Sequence, residues 1–115
     1  MDYTGRMLKV FFSTIYHNLF DLLRVKKIQI ETDGVHLCIR LPFKDVYEYV
    51  KERDTEGELE TNRVETSTLI KYAFEIELKA ARVGGKTRKC MILDVDRIFQ
   101  LTGIDLFNCQ YKEAE

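Results

Sequence analysis

The stretch TLIKYAFEIELKAARV, residues 68–83, decides the fold. Read as a strand, Ile70, Tyr72, Phe74, Ile76, Leu78 and Ala80 alternate without a break against Lys71, Ala73, Glu75, Glu77, Lys79 and Ala81. That is the two-residue period of a half-buried strand. Read as a helix, Lys71, Glu75, Lys79 and Arg82 form a polar stripe with favourable i,i+4 charge pairs. Ser67 would then cap its start and Gly84 its end, with only Glu77 misplaced. Both readings stand, and each leads to a different molecule.

Upstream lies DTEGELETNRVET, residues 54–66, where Asp54, Glu56, Glu58, Glu60 and Glu65 face only Arg63. This composition predicts an acidic, solvated loop, with a short extended piece at Leu59 or Val64. Further upstream, KIQIET (27–32) and VHLCIRL (35–41) flank Asp33-Gly34. Two alternating runs around Asp-Gly predict a two-residue hairpin, because the turn needs positive φ, which glycine supplies. Pro42 ends the second strand and suits the first turn of a helix. Phe43, Val46, Tyr47 and Val50 continue at helical spacing over about 42–53.

Residues 7–24 predict a single amphipathic helix with Thr4 as a plausible N-cap. Its apolar stripe is Leu8, Phe11, Phe12, Ile15, Tyr16, Leu19, Leu22 and Leu23, with Val10 and Phe20 outside it. Downstream of Gly84-Gly85, residues 89–95 read as a buried strand, and Asp96 as the cap of a short helix over 97–102 stopped by Gly103. The polar tail, 108–115, is expected to fray. The fold class predicted is α+β: one domain over residues 1–115, with a single sheet of about four strands and amphipathic helices packed on one face.

Composition narrows function mainly by exclusion. The chain has 115 residues, 45% hydrophobic and 32% charged, with a formal net charge of −1. No global field recruits nucleic acid or an anionic membrane. No apolar run approaches the ~18 residues of a membrane span, so no membrane partner is expected. Cys38, Cys90 and Cys109 stand singly and in odd number, which argues against disulfides and a zinc site. These features predict a cytoplasmic protein with buried, inert thiols and no cofactor.

Few constellations suggest chemistry. Ser13, His17 and Asp21 share one helix face at i, i+4, i+8. A mid-helix serine has its own N–H groups engaged and lacks oxyanion donors, so a hydrolase triad is rejected. His36 falls on a strand with no second ligand candidate near it. Ala80 to Thr87 approaches a phosphate-loop pattern but lacks its first glycine, and a strand follows where a helix is required. The same region is nonetheless basic. Arg82, Lys86, Arg88 and Lys89 surround the Gly-Gly turn with no acid among residues 80–89. They are candidates for phosphate or nucleic-acid contact, although no aromatic interleaves them to stack bases.

The back half resembles the STAS domains, the anti-anti-sigma-factor family. The likeness rests on Gly84-Gly85, Cys90, and Asp96 through Phe107 with its Thr102-Gly103-Ile104-Asp105 stop, and on the strand Val35 to Leu41. It implies partner switching through a phosphorylatable hydroxyl at a helix start. Carried over, the acceptor is Ser67 or Thr68 in Glu65-Thr66-Ser67-Thr68-Leu69; the family's glycine is absent there, and Glu replaces its Asp. A phosphate at a helix N-terminus is electrostatically favoured and would repel an acidic partner.

Two functions follow from the two readings of 68–83. If helical, the chain is a non-enzymatic regulatory protein–protein interaction domain, switched by phosphorylation at Ser67 or Thr68. If extended, residues 68–95 form one long hairpin whose basic Gly-Gly tip contacts phosphate or nucleic acid. A structural subunit that homodimerises through its apolar helix or a sheet edge is the blander third reading.

Overall fold

The computed structural model describes residues 3–107 of the chain. The expectations for Cys109 and the 108–115 tail lie outside the described residues.

The N-terminal apolar stripe forms two helices rather than one, α1 (Tyr3–His17) and α2 (Leu19–Arg24). Thr4 sits inside the first turn of α1 and is not its cap. The break falls at Asn18, whose Nδ2 donates to the Thr14 carbonyl, while Thr14 Oγ1 donates back to Val10. Such side-chain bonds to carbonyls one turn back compete with the helix ladder and bend it. The stripe survives the bend: Met7, Leu8, Phe11, Phe12, Ile15, Leu19 and Leu22 are buried, and Phe20 is exposed.

Strands β1 (Gln29–Thr32) and β2 (Leu37–Pro42) form the predicted hairpin with a four-residue connection. Asp33 causes the change: its carboxylate accepts from the amides of Val35 and His36, which pulls both residues out of the strand. Thr32 therefore pairs with Leu37. The offset from the two-residue reading is even, so every side chain keeps its predicted face. Pro42 closes β2 and serves as N-cap of α3 (Phe43–Arg53).

Residues 68–83 resolve into both predicted structures in succession. The helix α4 (Arg63–Phe74) ends at Glu75, which adopts the left-handed conformation (φ 56°, ψ 49°). The Glu75 amide bonds the Tyr72 carbonyl and the Ile76 amide the Lys71 carbonyl, the paired bonds of a Schellman stop. The chain then becomes β3 (Lys79–Val83). Two expectations fail here. Ser67 is not the cap, because the N-cap is Asn62, five residues upstream, which forms a reciprocal capping box with Glu65. Gly84 does not end the helix; it is a turn residue after β3.

Strand β4 (Lys86–Asp94) pairs with β3 on one side and β2 on the other, giving an antiparallel sheet of order β1-β2-β4-β3. Asp94, not Asp96, caps α5 (Val95–Thr102), since its carboxylate accepts from the Asp96 amide. Gly103 stops α5 as predicted, at φ 78°. Ile39, Leu41, Met91 and Leu93 point from one sheet face into the helical layer and share its core. The α+β reading, with one four-stranded sheet and helices on one face, is therefore the observed architecture.

The opposite face is smaller and curled. Arg40 crosses it, pairing with Glu31 at 2.7 Å and donating to the Arg82 carbonyl. Cys90 and Val83 are buried there, apart from the main core. The hairpin tip at Gly84 lies against Lys26 in the α2–β1 connection, where a Cβ on Gly84 would stand 3.0 Å from the Lys26 carbonyl oxygen.

Candidate functional site

Burial leaves one concave region where the sequence's candidate residues meet. Arg63, Ser67 and Lys71 lie at i, i+4, i+8 and so share one side of α4. That side forms a wall of a cleft of about 500 Å³, with Val64 and Thr68 beside it. The start of α3 supplies Lys44 and Asp45, and β4 supplies Arg88 and Lys89. Pro42, Phe43 and Leu78 complete the lining. The volume falls within the range of small-ligand sites, roughly 300–1,000 Å³.

The charge balance of this cleft is one-sided. Five cations line it with a single carboxylate, Asp45, which is held by Arg88 at 2.5 Å. Among the described residues, Lys44, Arg63, Lys71 and Lys89 have no carboxylate within ion-pairing distance. The Ser67 and Thr68 hydroxyls add donors able to complete the coordination of an anion.

The acidic segment is placed elsewhere. Asp54, Glu56 and Glu58 line a second depression that shares no residue with the basic cleft. This segment is better anchored than its composition suggested. Asp54 accepts from the amides of Glu58 and Leu59, Lys51 Nζ donates to the Leu59 carbonyl, and the Tyr47 hydroxyl donates to the Thr61 carbonyl. Leu59 is fully buried, and residues 63–66 belong to α4 rather than to a loop.

The four basic candidates therefore separate. Arg88 and Lys89 enter the cleft, where they join Ser67 and Thr68. Arg82 and Lys86 remain beside the Gly-Gly turn, with Arg82 Nη2 donating to the Gly85 carbonyl. The turn is docked on Lys26, so the long basic finger drawn over 68–95 is a shorter hairpin over 79–94.

Other groups are occupied structurally. Asp21 accepts from the Tyr49 hydroxyl at 2.6 Å and is held by Arg24, and these bonds keep its carboxyl below the ordinary value. Burial, together with that bond, pushes Tyr49 up to about 12. Arg53 lies 3.4 Å over the Tyr49 ring. His36 is exposed in the β1–β2 connection, 3.8 Å from Asp33, rather than on a strand. Burial raises the thiols of Cys38 and Cys90, which keeps them protonated and weakly nucleophilic. Among the described residues, no three His, Cys, Asp or Glu side chains converge to hold a metal ion, and no helix is long and apolar enough to cross a membrane.

Sequence reasoning missed Lys44, Arg63 and Lys71. The Arg63-Ser67-Lys71 spacing was visible, but assigning 63–66 to a loop concealed it. Lys44 joins only through tertiary packing. Compared with protein-family models, curated proteins and solved structures, the chain matches none.

Proposed function

We propose that this chain is a non-enzymatic binding module whose basic cleft receives a phosphate-bearing ligand. The observation that carries the reading is the convergence of five cations and two hydroxyls on one concavity, from three separate elements. Packing alone gives no reason to gather like charges. Each cation repels the others, and only Asp45 offsets them from within the lining. A bound dianion would relieve that repulsion and accept charge-assisted hydrogen bonds. The module acts in the cytoplasm on this reading.

Titration of the isotopically labelled protein with inorganic phosphate and pyrophosphate tests it. Saturable amide shifts at Ser67, Thr68 and Lys89 are expected, stronger for pyrophosphate. Lys71→Glu/Lys89→Glu should abolish them without lowering the melting temperature, since both side chains lie at the surface of the cleft. Shifts scattered over the surface, or none, would remove the proposal.

A second reading keeps the regulatory switch. Ser67 and Thr68 line the cleft one turn and more inside α4, so a phosphate ester on either would not sit at the helix N-terminus. It would instead lie among the cleft cations and occupy the site from within. Thr68→Glu is then expected to weaken pyrophosphate binding more than Thr68→Gln does; equal effects would count against a switch.

A further inference from the structure

Tyr72 stands one helical turn beyond Thr68, in the row Val64–Thr68–Tyr72 on α4. It is 82% exposed, and among the described residues its ring packs against no other aromatic. Its neighbour Lys71 lines the cleft. An aromatic face is thus set at the rim of a cationic concavity whose lining is partly apolar. Chain order hides this pairing, because the basic run at 82–89 contains no aromatic and Tyr72 lies ten residues before it.

We infer that the cleft and Tyr72 together bind single-stranded nucleic acid, with backbone phosphate among the cleft cations and an adjacent base stacked on the Tyr72 ring. The inference rests on the phosphate-binding reading above and names its ligand. Cations that track a backbone and a π-face that accepts any base are the two parts of sequence-tolerant single-strand recognition. An extended peptide is disfavoured by chemistry: strand addition is held by main-chain hydrogen bonds, which would leave the cleft cations and Tyr72 without a role. A duplex is disfavoured by shape, since groove readers insert a projecting helix or ribbon whereas these cations line a hollow. Two further depressions are less favourable to phosphate, because Asp54, Glu56 and Glu58 line one beside Lys9 and Arg53, and Glu58 and Glu60 line the other beside Arg6.

Fluorescence anisotropy with a labelled homopyrimidine strand of about 8 nucleotides tests this. Four cations without carboxylate partners should give a log–log salt slope near 3, at about 0.7 per phosphate contacted. Tyr72→Ala should weaken the strand about tenfold and Tyr72→Phe should retain it, while phosphate-induced amide shifts persist in both. Lys71→Glu/Lys89→Glu should weaken strand and phosphate alike. Far-UV circular dichroism checks that each variant is folded. Wild-type affinity in Tyr72→Ala overturns the inference, as does equally tight binding of the matching duplex or of a phosphoserine peptide of equal charge. If the strand fails to bind while phosphate still shifts the cleft amides, the inference falls and the phosphate reading stands. If neither binds, both fall.

Discussion

Helices α1 and α4 are of similar length but are specified in different ways. α1 buries Met7, Leu8, Phe11, Phe12 and Ile15, and its rings pack on Phe43 of α3 and Phe74 of α4. Its helicity is a consequence of tertiary packing. α4 buries only Thr66, Ile70 and Phe74, and exposes Val64 and Tyr72. It is fixed at its ends, by the Asn62–Glu65 capping box and the Glu75 stop. A helix held by its termini does not need to cover its outer face, and that face becomes available for a ligand. On the proposed reading, stability and recognition are therefore assigned to different helices.

The sharpest way to break this contrast is a charge in the α1–α2 stripe. Leu19, which is 2% exposed, continues that stripe into α2. Leu19→Asp buries an unpaired carboxylate and should cost more than about 4 kcal/mol, enough to abolish a cooperative thermal transition. A wild-type-like melt would contradict the packing.

Alkali tests the link between α2 and α3. The folded Tyr49 titrates near 12 against an ordinary 10.0. Stability from this group is thus fully present below pH 10 and is lost as pH rises through 12, by about 3 kcal/mol across the window. Tyr49→Phe should flatten that part of the pH–stability curve. On the acid side the lowered Asp21 works in reverse: its contribution is present at neutral pH and disappears as pH falls through its depressed value.

Smaller changes sharpen the reading of α4. Asn62→Ala removes half of the capping box and should cost about 1 kcal/mol. Hydrogen exchange should show the loss concentrated in the first turn of α4, with α1 protected as before. Glu75→Gly relieves a left-handed residue that bears a side chain, partly offset by glycine's greater unfolded freedom. A net gain of about 0.5 kcal/mol, or roughly 2–4 °C in melting temperature, is expected.

The same contrast explains what could be read from the chain. The stripe of α1, the alternation of β2 and the Gly103 stop are strong local signals, and they predict an α+β fold with one sheet. Residues 68–83 resisted because the period changes from helical to extended at Glu75, and neither glycine nor proline marks the point. The left-handed Glu75 is held by backbone bonds that composition does not encode. Asn62 was a missed opportunity, since Asn-x-x-Glu is a legible capping pattern. Ser67, Thr68, Arg88 and Lys89 could be nominated singly, but their meeting depends on β4 lying beside β2 after an intervening pair of helices. Chain-local periodicity carries no information about that adjacency.

The contact between Gly84 and the Lys26 carbonyl sets a limit on protein engineering. A side chain at Gly84 would require Lys26 to give way by a few tenths of an ångström and would be strained at φ 62°, so that position is best left as glycine. At Gly57, by contrast, a Cβ would meet nothing within 4 Å. A fluorophore or affinity tag belongs in that connection, which shares no residue with the cleft lining and leaves the Gly84 contact untouched.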